Sequence, residues 1–131
     1  MDFSLTDDQE LIRAAVAKVC ADYPDEYWAE RDQNHDFPWD FYNAMANAGW
    51  IGTAIPEAYG GSGMGITEAS LVLEEVAASG AAMNGATPLH LSMFGMEPVV
   101  KYGSEEMKQM YLPRVAAGEM HVAFGVTEPD A

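Results

Sequence analysis

Three histidines and one cysteine have the widest chemical repertoire in the sequence. His35, His90 and His121 lie far apart along the chain, and Cys20 stands alone. A zinc or iron site usually draws on closely spaced ligands, as in an HExxH motif or in paired cysteines, and neither pattern occurs. No Ser-His-Asp arrangement stands out either. We therefore expect neither a metal site nor a catalytic triad, and the single cysteine indicates a reducing compartment.

A glycine-rich loop is the second candidate for chemistry. Successive backbone N–H groups around Gly60, Gly61 and Gly63 are able in principle to bind an anion. However, the loop does not open a helix as a phosphate-binding loop does, and no Lys or Arg lies between Arg31 and Lys101. We therefore predict a tight turn at this position.

The C-terminal segment is the third candidate. Residues 120–127 alternate apolar side chains with small or polar ones, which is the period of a β-strand. Pro129 favours extended backbone at Glu128 and cannot donate to a ladder, so the predicted strand ends at Thr127. There Thr127 offers a backbone N–H and a hydroxyl together. Taken alone, this position also fits an ordinary β-branched strand residue.

Helical periodicity accounts for most of the chain before that segment. We expect an irregular or weakly helical stretch from Pro24 to Asp36, and at Pro98 either a kink or a new turn. The first predicted helix begins at a Thr6–Gln9 capping box and ends at about Tyr23, and the second runs from Pro38 to Gly49. The third begins at a cap at Thr67 and ends at Gly80, and a fourth lies between Gly80 and Met96. The last begins at a cap at Ser104, is interrupted at Pro113 and ends at Gly118.

The stretch between Gly80 and Met96 is uncharged if His90 is neutral, and it approaches the roughly 17 residues that a membrane span needs. Polar residues and glycines dilute it too far for that role. An apolar helix of this kind more often lies at the centre of a bundle, so we predict a buried central helix.

These elements predict an all-α fold: an N-terminal helical bundle of about five or six helices, ending in the first strand of a missing β domain. We place the helical domain at residues 1–118 and the start of the β domain at 119–131. A net charge of -15 argues against nucleic acid and anionic membranes as partners. The acidic N-terminus has no features of a leader peptide, so we expect a cytoplasmic protein.

Three stretches, in order along the chain, resemble the acyl-CoA dehydrogenase family. They lie between Gly49 and Pro129, and the combination is much more specific than the glycine-rich loop alone. The stretches are Gly49-Trp50-Ile51-Gly52 through Ile55-Pro56-Glu57-Ala58-Tyr59-Gly60-Gly61-Ser62-Gly63, Tyr102-Gly103-Ser104-Glu105-Glu106 with Tyr111-Leu112-Pro113, and Phe124-Gly125-Val126-Thr127-Glu128-Pro129.

The resemblance implies the N-terminal helical domain of a three-domain flavoenzyme that uses FAD. Such an enzyme oxidises an acyl-CoA thioester to the 2,3-enoyl-CoA by α-proton abstraction and β-hydride transfer to the flavin. The base usually belongs to the later helical bundle, so no catalytic residue is assigned here and the 131 residues alone are expected to be inactive. Electron-transfer flavoprotein is the implied redox partner, and a homotetramer or mixed tetramer is the implied assembly.

Two groups of site residues follow from the resemblance. Phe124, Val126 and Thr127 match positions beside the isoalloxazine ring, where a fixed N–H and hydroxyl stabilise the negative charge of the reduced flavin. The end of the acyl channel is matched by Ala86, Thr87, His90, Leu91 and Phe94. A histidine on an apolar helix is more often a core residue with satisfied hydrogen bonds, and we favour that for His90. The alternative is that His90 shortens or polarises the channel.

Two other functions remain open. Within the same fold, the enzyme could be an acyl-CoA oxidase or a flavin monooxygenase, although Thr127-Glu128-Pro129 favours the dehydrogenase. From a different class, the chain could be a non-catalytic helical subunit or interaction module, since an acidic bundle with nine methionines can dock into a protein groove.

Overall fold

A computed structural model describes residues 4–129 of the chain. Residues 1–3 and 130–131 lie outside the described residues. They belong to the N-terminus in which no leader peptide is expected and to the end of the predicted β-domain segment. The α-helices in the described part are α1 Asp7–Cys20, α2 Asp25–Asn34, α3 Trp39–Asn47, α4 Ile66–Val76, α5 Ala82–Gly95, α6 Glu97–Tyr102 and α7 Glu105–Ala116. A 3₁₀ turn, Glu57–Tyr59, and a π-helical stretch, Ala77–Ala81, complete the regular structure of these residues. The all-α prediction is confirmed.

Two of the predicted helix starts have the expected caps. The Thr6 hydroxyl accepts the N–H of Gln9, and the Gln9 side chain accepts the N–H of Thr6, which is the predicted capping box of α1. The Ser104 hydroxyl likewise accepts the N–H of Met107 at the start of α7. Each cap pairs backbone groups that have no partner within the helix itself.

Helices α1 and α4 pack against each other and form one side of the core. Val16 of α1 and Val72 and Val76 of α4 are fully buried there. Polar pairs connect the two helices at their edges: Gln9 Nε2 donates to Glu68 Oε1 at 2.9 Å, and Arg13 pairs with Glu75 at 3.2 Å. The apolar faces of these two amphipathic helices therefore pack together, and hydrogen bonds form at the edges of the contact.

The stretch expected to be irregular or weakly helical is a ten-residue helix, α2. Its sequence has little helical periodicity, but Trp28 is buried, contacts Phe41 at a ring-centroid distance of 4.9 Å, and donates Nε1–H to the Tyr23 carbonyl. Burial of one large aromatic side chain outweighs a weak local preference, because packing provides most of the stability of a short helix.

Two predicted helix signals are wrong. Thr67 does not cap α4, because the helix begins after Gly65, whose N–H donates to the Glu68 carboxylate at 3.0 Å. Pro113 does not interrupt α7, which continues to Ala116. A proline within a helix costs a backbone hydrogen bond, and here Leu112 and Val115 on either side of it are fully buried and hold the helix together.

Helix α5 is buried on one side only, so the prediction of a central helix surrounded by the bundle is wrong for the described residues. The π-helical stretch, in which Gly80 has a φ of +99°, separates α5 from α4. The core side of α5 carries Leu89, Ser92 and Met93, all buried. Its opposite side includes the exposed Met83 and His90.

The predicted strand does not form. Residues 121–128 belong to no helix or strand, and within residues 4–129 no other strand exists with which they could pair. Strand structure requires ladder hydrogen bonds to a neighbour, so an alternating pattern alone cannot produce it. The domain boundary at residue 118 stays a prediction, although α7 ends at Ala116.

Candidate functional site

The predicted acyl-channel residues all lie on α5 but do not all share one surface. Thr87, Leu91 and Phe94 are half-buried and His90 is exposed, and their three- and four-residue spacing puts these four on one face. Ala86 is only 8% exposed and belongs to the core. We call Thr87, His90, Leu91 and Phe94 the open face of α5. It carries two apolar side chains, one hydroxyl group and one titratable imidazole.

The environment of His90 decides between the two sequence-based interpretations of this residue. The imidazole is exposed, and its ring centroid lies 5.3 Å from that of Phe94. Within residues 4–129 it has no hydrogen-bond partner. The interpretation of His90 as a buried core residue with satisfied hydrogen bonds is therefore wrong for this structure, and the imidazole is available to whatever covers the open face.

A cavity of about 500 Å³ lies beside the open face. Thr87 and Leu91 contribute to its wall, whereas His90 and Phe94 do not. The remaining wall comes from α2, the connection to α3 and the C-terminal segment: Arg31, Asp32, His35, Asp36, Phe37, Pro38, His121 and Val122, together with Met83, Asn84 and Pro88 of α5. Its volume falls in the range typical of small-molecule sites, and charged groups lie on its α2 side.

The predicted flavin-contacting residues lie in the segment that follows α7. Phe124 is 53% exposed, Val126 is 78% exposed, and Thr127 is exposed as well. Within residues 4–129 neither the N–H nor the hydroxyl of Thr127 makes a hydrogen bond. The segment passes the C-terminal end of α5, because Val122 and Phe124 both lie close to Gly95. Phe124 therefore lies beside the end of α5 that carries Phe94 of the open face.

The glycine-rich loop is a tight turn, as predicted. The N–H of Ser62 donates to the Gly52 carbonyl at 3.0 Å, and the N–H of Gly63 donates to the Ile55 carbonyl at 2.8 Å. The N–H groups of Gly60 and Gly61 are used in the same way. These groups are therefore occupied within the loop and do not form an anion site.

A hydrogen bond outside the loop ties it to α7. The Tyr59 hydroxyl donates to the Glu105 carboxylate at 2.9 Å, which raises the pKa of Tyr59. The pKa of Glu105 is lowered, first by the Gln109 side chain and then by Tyr59. Both groups are at the surface, so this pair positions the turn and adds little to stability.

Sequence reasoning missed an aromatic cluster around His121. Its imidazole stacks on Tyr42 at a centroid distance of 4.3 Å and meets Phe37 and Trp39 edge-on at 5.3 and 5.2 Å. No periodicity connects His121 with aromatic residues so far back in the chain, so the sequence carries no signal for this contact.

Tyr42 and Ser92 form a buried polar neighbourhood under that cluster. Both residues are fully buried, and neither hydroxyl makes a hydrogen bond of good geometry. Burial raises the pKa of Tyr42, and the nearby Ser92 hydroxyl opposes this in part. Such groups are uncommon in a core, because an unpaired buried hydroxyl costs free energy.

Two further features of the described residues concern metal binding and membrane insertion. Among residues 4–129, His, Cys, Asp and Glu side chains form no group of three or more that could hold a metal ion. In the same range, no helix combines the length and the apolar character that a membrane span requires.

The chain matches a known family over most of its length. A family model described as the acyl-CoA dehydrogenase N-terminal domain matches residues 6–119. The chain belongs to the acyl-CoA dehydrogenase family. The resemblance inferred from the three sequence stretches is confirmed, and the match includes all the helices and the open face of α5.

Individual members of the acyl-CoA dehydrogenase family agree with this assignment. The chain is 33% identical over 135 residues to acyl-CoA dehydrogenase FadE12 of Mycobacterium tuberculosis (strain ATCC 25618 / H37Rv). This similarity covers 98% of this chain and 33% of that protein. A solved structure described as the glutaryl-coenzyme A dehydrogenase glutaryl-CoA complex is similar over the whole chain, with a TM-score of 0.89, 32% identity and 34% of its own chain covered.

A further similar structure is described as the electron transferring flavoprotein of Acidaminococcus fermentans. Its TM-score is 0.88 at 34% identity, and the similarity covers 100% of this chain and 34% of that chain. The chain therefore spans about a third of the length of the family members that it matches.

Proposed function

We propose that the chain provides the N-terminal helical domain, residues 1–118, and the first β-domain residues, 119–131, of a flavin-dependent acyl-CoA dehydrogenase. The reaction is oxidation of an acyl-CoA thioester to the 2,3-enoyl-CoA. One observation carries the proposal: the C-terminal segment passes the end of α5, where Val122 and Phe124 lie close to Gly95, the residue after Phe94 of the open face. An accessible surface that carries Leu91 and Phe94, beside hydrogen-bond donors without partners among the described residues, suits an acyl chain next to a polar ring.

FAD, when bound, supplies the acceptor for the β-hydride while a carboxylate base removes the α-proton. The residues of this chain have other tasks. Thr87, Leu91 and Phe94 provide an apolar wall that excludes water from the acyl group. Thr127 offers an N–H and a hydroxyl without other partners, as donors to an electron-rich ring edge. No residue of this chain is assigned as acid or base.

The exposed residues fit one edge of a flavin site and not a complete one. Val126 is 78% exposed, and Thr127 offers at most two hydrogen-bond donors. A flavin pocket must exclude water on several sides, so further walls have to come from outside these residues. We therefore expect the purified 131-residue chain to be colourless, and tight retention of yellow flavin by it would contradict this division of the site.

We propose that His90 sets the preference for the acyl group, because it is the one titratable side chain on the open face. A polar imidazole at the channel end disfavours a long apolar tail, which would leave it without hydrogen-bond partners. His90→Leu, in the flavoenzyme that contains this chain, should raise kcat/KM for long-chain relative to short-chain acyl-CoA by about tenfold or more.

Met107→Leu is the matched control, since Met107 is an exposed side chain on α7 and lines neither the open face nor the cavity beside it. It should leave the chain-length profile unchanged. An unchanged profile in His90→Leu would remove the role of His90 and leave the family assignment intact.

We propose electron-transfer flavoprotein as the redox partner and a homotetramer or mixed tetramer in the cytoplasm as the assembly. The similarity to a structure described as an electron transferring flavoprotein supports the first part. Reduction of purified electron-transfer flavoprotein by the enzyme and acyl-CoA tests it. Substrate-driven oxygen consumption without that partner would instead favour an acyl-CoA oxidase, and an absence of bound flavin would favour a non-catalytic subunit.

A further inference from the structure

The His121 ring is held by three aromatic side chains that also contact one another. Phe37 and Trp39 are 4.5 Å apart between centroids, and Tyr42 lies 5.8 Å from Phe37 and 6.2 Å from Trp39. We call Phe37, Trp39 and Tyr42 the aromatic cage. The imidazole stacks on one ring and meets two others edge-on, which are the arrangements that aromatic pairs prefer.

The segment that carries His121 has little else to hold it. In the described part of the chain, the last backbone hydrogen bond before this segment joins the Glu119 N–H to the Arg114 carbonyl. Residues 121–128 have no regular structure, and residues 123–128 are all exposed. Side-chain contacts must therefore determine where the segment lies.

Val122 gives the segment its second contact. Its Cγ1 lies so close to the Cα of Gly95 that a Cβ added at Gly95 would come within 2.6 Å of it. His121 and Val122 are adjacent, so the two contacts hold neighbouring residues of the segment. One contacts the aromatic cage and the other contacts the end of α5, which fixes both the position and the rotation of the chain at this point.

We propose that His121 is the anchor of the segment from residue 119 to residue 129, and that packing of its exposed ring against the aromatic cage positions Thr127. His121 is a positioning residue, since it acts through the backbone that leads to Thr127. The consequence for flavin rests on the proposed function. The anchoring itself does not, because it follows from contacts within this chain.

The first test measures the order of the segment in the 131-residue chain by NMR. Wild type should give backbone order parameters of about 0.8 at residues 122–127, and His121→Ala should lower them below about 0.6, the range of flexible backbone. His121→Phe should keep them high, because a phenyl ring can occupy the same cage. Trp39→Ala, which removes an exposed wall of the cage, should loosen the segment from the other side.

His90→Ala is the matched control, because His90 is a second exposed histidine with one aromatic contact on α5. It should leave the segment ordered. An ordered segment in both His121→Ala and Trp39→Ala would overturn the proposal, as would equal loosening in His90→Ala.

The second test uses the flavin-loaded enzyme. His121→Ala should shift the flavin absorption bands and the reduction potential, and His121→Phe should restore both towards wild type. If the segment loosens but the flavin signals stay unchanged, the anchor holds and the proposed contact of Thr127 with flavin is wrong. If the segment stays ordered, the anchor itself is wrong, whatever the flavin signals are.

Discussion

Helices α4 and α5 follow each other directly across the π-helical stretch, yet they use their apolar residues differently. In α4 the acidic residues lie at the rim and Val72 and Val76 are buried against α1. Helix α5 contains no Asp, Glu, Lys or Arg, one of its sides is buried, and the open face is accessible. Exposed apolar side chains that do not belong to the core of the domain indicate a binding surface. We propose that an acyl group and neighbouring protein cover this surface.

The largest expected effect comes from comparing one phenylalanine in each region. Phe41 is fully buried and packs on Trp28, so Phe41→Ala should lower the free energy of unfolding by about 3–5 kcal/mol. Phe94 on the open face is half-buried, and Phe94→Ala should cost on the order of 1 kcal/mol. Urea denaturation with unchanged m-values measures both. Equal losses would mean that the open face belongs to the core.

A smaller loss of stability distinguishes a residue that caps a helix from one that only resembles a cap in the sequence. Thr6→Ala removes the hydroxyl that accepts the Gln9 N–H and should cost about 1 kcal/mol of stability. Thr67→Ala changes an exposed residue that caps nothing, and it should stay within about 0.5 kcal/mol of wild type. Thermal denaturation of the two variants at matched concentration provides the comparison, and a larger loss in Thr67→Ala would contradict the structure of the α4 start.

These two threonines illustrate how far the sequence predicts the fold. Thr6 and Gln9 form a local motif that is complete within four residues, so the α1 cap is predictable. Thr67 looks equally suitable, but Gly65 and Glu68 already pair with each other, and that competition cannot be seen from residue types alone. The helix α2 was underestimated for a related reason, since Trp28 obtains its burial from residues distant in the chain.

The candidate site was predictable in part. Helical spacing puts Thr87, His90, Leu91 and Phe94 on one face, and the structure agrees. That this face is open, and that Ala86 turns into the core, depends on how α5 lies against α3 and α4. The cage around His121 depends on a contact between distant segments, which no local pattern encodes.

The smallest expected effect concerns the polar rim of α4. The pKa of Glu68 is lowered, mainly by the hydrogen bond from Gln9 and then by backbone N–H groups that include that of Gly65. A lowered folded-state pKa stabilises the fold above the ordinary value of 4.5, and this contribution is lost as the pH falls through the folded-state value. Glu68→Gln should therefore flatten the stability profile below pH 4.5 slightly. Glu74→Gln, at an exposed position of the same helix, is the control.

The most direct measurement is the two-electron reduction potential of the flavin in the enzyme that contains this chain, compared between wild type and Thr127→Val. Loss of one hydrogen bond to a charged ring is worth about 1.5–3 kcal/mol, which corresponds to a potential lower by about 30–60 mV. Thr127→Ser, which keeps the hydroxyl, should stay near wild type. A Thr127→Val enzyme with the wild-type potential would contradict the claim that the segment carrying Thr127 borders the flavin.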